Sequence, residues 1–133
     1  MHKWVLIIGA VFALTSVVLG AFAAHGLKNR LDEYALSVFQ TAVQYQMTHG
    51  IALILCGLFA FQLQQLQLQQ SESSFFWLNI SAISFVVGIV FFSGSLYGLV
   101  LTGQKWLGPI TPLGGLLFIV GWIAFIIAAV KNP

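Results

Sequence analysis

The chain has 133 residues, of which 59% are hydrophobic and only 6% charged, with a formal net charge of +2. These proportions exclude a soluble globular domain, whose surface could not be hydrated by so few charges. The small, scattered charge excludes nucleic acid as a partner, and the single cysteine, Cys56, excludes an intrachain disulfide.

The charged residues are Lys3, Lys28, Arg30, Asp32, Glu33, Glu72, Lys105 and Lys131. They leave charge-free stretches at 4–27, 34–71, 73–104 and 106–130. A bilayer core about 30 Å thick needs about 20 apolar residues of helix, and a charge at its centre costs several kcal/mol. The chain therefore reads as a single all-α membrane domain over 1–133. It is a four-transmembrane-helix bundle with spans at about 4–24, 46–65, 76–101 and 111–130.

Span one begins at Trp4. Its start resembles a secretory signal, with Lys3, an apolar run and Ala21-Phe22-Ala23 as a cleavage box. The run is longer than the 7–15 residues of a signal core, which predicts a retained span. Gly9, Ser16 and Gly20 fall on one line of this helix and form a small-residue stripe for close packing. His25-Gly26 is expected to end it, glycine suiting the position after a helix.

Asn29 is expected to cap the next helix, with Asp32 and Glu33 in its first turn. Leu31, Tyr34, Ala35, Val38, Phe39 and Ala42 repeat at helical spacing opposite Glu33, Ser37, Gln40, Thr41 and Gln44. This predicts an amphipathic helix over about 31–45, in the membrane interface or against the bundle mouth.

Span two has a purely apolar run of only Gly50 to Phe61. At 1.5 Å per residue that is roughly 18 Å, too short to cross. Tyr45, Gln46, Thr48 and His49 upstream, or Gln62, Gln64 and Gln65 downstream, must therefore enter the membrane and turn inward. The glutamine-rich end reads as a wetted helix end followed by a turn at 71–74.

Span three carries Ser84, Gly88, Ser95 and Gly98 on one face. This stripe is expected to pack on that of span one. Trp106 in the following linker suits the headgroup belt. Thr111 and Pro112 read as cap and first residue of span four, whose small face is Gly114 and Gly121.

Four spans put both termini on one side. His25, Tyr45, Gln46, His49, Tyr97, Thr102 and Thr111 then converge at the opposite membrane face. The cluster can be structural, bonding across helices, or it can be a binding or proton-relay site built on His25 and His49. Two histidines with only loop acids nearby make a poor metal or haem set. No metal site or other cofactor is therefore expected. No span holds an acid, and no catalytic signature is present, so no catalytic residue is expected and the chain does not read as an enzyme.

Gly20-Ala21-Phe22-Ala23-Ala24-His25-Gly26-Leu27 and Phe39-Gln40-Thr41-Ala42-Val43-Gln44-Tyr45-Gln46-Met47-Thr48-His49 resemble two signatures of the domain of unknown function 423 family, the transmembrane protein 256-like small inner-membrane proteins. Phe92-Ser93-Gly94-Ser95-Leu96-Tyr97 with Leu101-Thr102-Gly103 resembles a third. Ile110-Thr111-Pro112-Leu113-Gly114-Gly115 with Gly121-Trp122 resembles a fourth. The chain departs at Ala23, where the family pattern GAFGAHGL has glycine. The resemblance implies a four-span inner-membrane protein and no particular activity.

The leading functional reading is a small structural or accessory membrane protein. The alternative is a binder, carrier or channel for a small or lipidic molecule near His25 and His49. Expected partners are membrane lipids, with a homo-oligomer or a larger membrane complex open. The bacterial cytoplasmic membrane is the expected location, since no long targeting extension precedes span one. Lys28, Arg30 and Lys105 on one side against Lys3 and Lys131 on the other favour both termini outside.

Overall fold

The computed structural model describes residues 2–66 and 71–132. It contains four helices long and apolar enough to cross a membrane. They are α1 (His2–Phe22), α2 (Glu33–Leu66), α3 (Glu72–Thr102) and α4 (Ile110–Val130). The amphipathic segment and the second span are one continuous helix, α2. The glutamine-rich connection at 67–70 lies outside the described residues. Beyond it, α3 is already helical from Glu72, so the turn expected over 71–74 is displaced by the helix.

Local chemistry sets the helix ends, in places differently from the sequence expectation. The α1 helix does not stop at His25-Gly26 but widens into one π-helical turn, Ala23–Leu27. That turn brings Ala23 and Leu27 inward against Phe39 of α2 and leaves His25 exposed. Asp32, not Asn29, caps α2: its Oδ1 accepts the backbone N–H of Ala35 at 2.7 Å. Gly103 closes α3 with a φ of 71° and donates its N–H to the Leu99 carbonyl, a left-handed conformation that glycine adopts without steric cost. At the start of α4 the Thr111 hydroxyl does not cap the helix. It bonds Ser95 of α3 instead.

The close helix pairings follow chain order: α1 on α2, α2 on α3, α3 on α4. The expected packing of span one on span three is thus corrected. The small stripe of span one meets α2, where Gly9 faces the backbone of Gly50 so closely that a Cβ at Gly9 would lie 2.7 Å from the Gly50 carbonyl oxygen. Ser16 is buried in the same seam, and Gly20 faces Val43. The stripe of span three meets α4 through aromatic rings seated on glycines. Phe118 lies on Gly88, Phe85 on Gly121, and the Phe92 backbone against Gly114. Gly98 faces Leu107, in the 3-10 turn Lys105–Leu107 of the linker, and Ser84 is buried. Glycine on these faces lets a ring or a backbone of the partner helix come close.

Two hydrophobic clusters result. The main core joins Leu53, Cys56 and Leu63 of α2, Leu78, Phe85 and Ile89 of α3, and Phe118 of α4. A smaller one gathers Ala23, Leu27 and Phe39 with Tyr97 and Val100 around the first turns of α2. The α4 helix, 21 residues long, measures about 31 Å and so matches the hydrocarbon thickness. Both its ends are tied to α3. Ser74 Oγ donates to the Ala128 carbonyl at 3.0 Å, and the Ser95 and Thr111 hydroxyls lie 2.6 Å apart. The stretch of α3 from 74 to 95 therefore spans the same depth as α4. The start of α2 and the end of α3 extend beyond it.

Candidate functional site

Two polar centres lie inside the bundle, both on α2 and one turn apart. Gln46 is 4% exposed and joins three helices. Its Nε2 donates to the Phe12 carbonyl at 3.0 Å and to Thr15 Oγ1 at 2.7 Å, both on α1. Its Oε1 accepts the Tyr97 hydroxyl of α3 at 2.7 Å. The amide is used at both ends, so its orientation is fixed by its partners. About one turn away, Ser93 Oγ of α3 donates to the Ala42 carbonyl of α2 at 2.7 Å.

His49, also 4% exposed, joins α2 to α4. The Trp122 indole N–H donates to Nε2 at 3.1 Å, and Nδ1 lies 2.7 Å from the Tyr45 carbonyl oxygen. An indole can only donate and a carbonyl can only accept. Nε2 is therefore the acceptor and Nδ1 carries the proton. The imidazole is the neutral Nδ1–H tautomer, with both nitrogens engaged. Its face stacks on Phe118 at 3.6 Å between centroids and 9° between planes, and Phe85 tilts against it at 5.4 Å. Phe118 and Trp122 flank the middle of α4, so His49 sits near mid-bilayer rather than at the membrane face expected from sequence.

Of the other residues singled out from sequence, Tyr97 joins the Gln46 centre and Tyr45 lies beside His49, its ring stacked at 6.0 Å between centroids, whereas His25, Thr102 and Thr111 join neither. His25 lies beside the Phe39 cluster, about 15 Å along α2 from His49 at helical rise. Thr102 is exposed and donates to its own helix at the Gly98 carbonyl. Thr111 is held by Ser95. Tyr45 is exposed, its ring 4.5 Å from Phe92 and 6.0 Å from Phe118. It forms one wall of an open groove of about 650 Å³ with Phe92, Pro112, Phe118 and Trp122, and the His49 ring lies at its back. Cys56 is buried, 3.5 Å from Ser81 Oγ.

Sequence reasoning missed Trp122, Phe118, Thr15 and Ser93 as partners. One cue was available for Trp122. It lies mid-span, away from the headgroup belt, where its indole N–H needs an acceptor inside the protein. Phe118 offers no cue, because aromatic residues in a span are ordinary.

Chemically, the arrangement holds helices together. Among the described residues, no buried side-chain nitrogen or oxygen lacks a hydrogen-bond partner. Asp32 precedes α2, and Glu33 and Glu72 are the first residues of α2 and α3, so none of the three acidic side chains lies beside His49 to orient it as a base.

Residues 19–115 match the family described as "Protein of unknown function (DUF423)". A UPF0382 membrane protein of Staphylococcus aureus is 45% identical over 129 residues, covering 97% of each chain. One from Staphylococcus haemolyticus is 43% identical over 129 residues, again 97% of each. The UPF0382 membrane protein YwdK of Bacillus subtilis is 43% identical over 129 residues, 97% of this chain and 98% of its own. No solved structure matches.

Proposed function

The chain belongs to the DUF423 family of membrane proteins of unknown function, and from that premise we propose that it is a structural or accessory protein of the bacterial cytoplasmic membrane with no chemistry of its own. One observation carries this reading: the two large polar side chains buried in the middle of the bundle, Gln46 and His49, are consumed in hydrogen bonds within the protein. Gln46 spends its amide on α1 and α3, and His49 spends both ring nitrogens on Trp122 and the Tyr45 carbonyl. A binding or relay site keeps a donor, an acceptor or a titratable nitrogen free for its ligand. The binder, carrier or channel reading needed His25 and His49 at one site, and they stand apart.

Complementation of a deletion strain tests the proposal. Variants at Gln46, His49 and Tyr97 are expected to lose complementation only as far as folded protein is lost from the membrane. A His49 variant with normal abundance and melting temperature but no complementation would overturn it.

A further inference from the structure

At the membrane face that carries residues 2 and 132, α1 and α2 leave a groove of about 370 Å³ between them, lined by His2, Lys3, Leu6, Leu58 and Phe61. The two helices are locked together at its floor. Leu6 rests on Gly57, where a Cβ would lie 2.7 Å from the Leu6 Cγ, and the His2 ring tilts against Phe61 at 5.4 Å. The depth of the groove follows from α3. Cys56 of α2 lies beside Ser81, and Ser74, seven residues nearer the start of α3, marks the end of the stretch that matches the hydrocarbon. On the antiparallel α2 the same level falls seven residues beyond Cys56, at Leu63. Phe61 and Leu58 therefore lie about 3 and 7.5 Å inside the hydrocarbon, and His2 and Lys3 start near the level of Phe61. A lysine so placed runs its stem along apolar surface and carries its ammonium out to the headgroups. The groove thus has an apolar floor inside the bilayer and a cationic rim at headgroup level. Among the described residues Lys3 forms no ion pair, although Glu72 opens α3 at the same face.

We propose that this groove seats one anionic phospholipid, its phosphate on Lys3 and an acyl chain along Leu6, Leu58 and Phe61. The occupant follows from charge and depth together. Basic pockets between transmembrane helices select anionic headgroups, and Lys3 has no carboxylate of its own to neutralise it. A free phosphate would meet Lys3 but leave Leu6, Leu58 and Phe61 uncovered. A zwitterionic lipid would cover them but bring its own ammonium beside that of Lys3. An anionic lipid matches both ends of the groove. The site uses neither His25 nor His49, so it stands independently of the accessory role.

Native mass spectrometry of the purified chain in detergent, titrated with dioleoyl phosphatidylglycerol or dioleoyl phosphatidylethanolamine, tests this. One phosphatidylglycerol should bind about fivefold more tightly than phosphatidylethanolamine. Lys3→Gln should remove that preference at unchanged melting temperature, since Lys3 is exposed, and Lys3→Arg should keep it. Lys131→Gln, at the same face just beyond the end of α4, should leave it intact. Glycerol phosphate, an anion of the same chemistry without chains, should not displace the lipid. Equal binding of the two lipids, or a preference that survives Lys3→Gln, would overturn the proposal. So would an equal loss in Lys131→Gln, which would reduce the effect to net charge, or displacement by glycerol phosphate, which would remove the groove from it.

Discussion

His49 and Gln46 show how a polar residue becomes tolerable in hydrocarbon. Each unmade hydrogen bond there costs a few kcal/mol, and both residues are fully engaged. Their burial was legible in the sequence, because the apolar run that follows them, Gly50 to Phe61, is too short to cross. Their partners were not. Trp122 is 73 positions from His49, and only helix packing decides which span it meets. His25 looked equivalent to His49 in sequence but is turned out by the π-helical turn, a feature that no residue pattern announced. The tautomer assignment is directly measurable. Nitrogen-15 spectra of His49 at neutral pH should show a neutral ring protonated at Nδ1, and Trp122→Phe should shift the Nε2 resonance as its donor is lost. His49→Ala should destabilise the protein by about 2–3 kcal/mol, through the lost stack on Phe118 and an unpartnered indole. Thermal unfolding in detergent checks the second outcome.

The existence and order of the helices were readable from the charge-free stretches, since charges mark where the chain leaves the membrane. Their pairing was not, because a stripe of small residues says that something comes close without saying what. Here Gly88 of α3 and Gly121 of α4 receive aromatic rings, Gly114 of α4 receives the backbone of α3, and Gly9 of α1 receives the backbone of α2. The glycines accordingly differ in tolerance. At Gly114 a Cβ would lie 2.7 Å from the Phe92 Cα, whereas at Gly94 it would meet nothing within 4 Å. Gly114→Ala should cost about 1–3 kcal/mol by overpacking, and Gly94→Ala should be neutral or slightly stabilising through helix propensity. Melting temperatures of the two variants side by side decide this. Asp32→Ala should cost about 1 kcal/mol, as loss of a helix cap does, whereas Asn29→Ala should be silent in the same assay.

Taken whole, the molecule is a bundle with α2 and α3 at its centre, α1 packed on α2, and α4 packed on α3 and tied to α2 through His49 and Trp122. An even number of spans places residues 2 and 132 on one side of the membrane. Reporters fused at the two ends should agree, and a reporter in the linker at 103–109 should give the opposite answer. The central claim is that the polar side chains buried in the middle of the bundle join helices, and Gln46 tests it hardest because, among the described residues, it alone bonds both α1 and α3 through its side chain. Its three bonds, at about 0.6 kcal/mol each for interhelical bonds in membranes, sum to about 2 kcal/mol. The decisive measurement is thermal unfolding of Gln46→Leu beside the unaltered protein in the same detergent. The account predicts a melting temperature lower by roughly 5 °C or more; an unchanged melting temperature would contradict it.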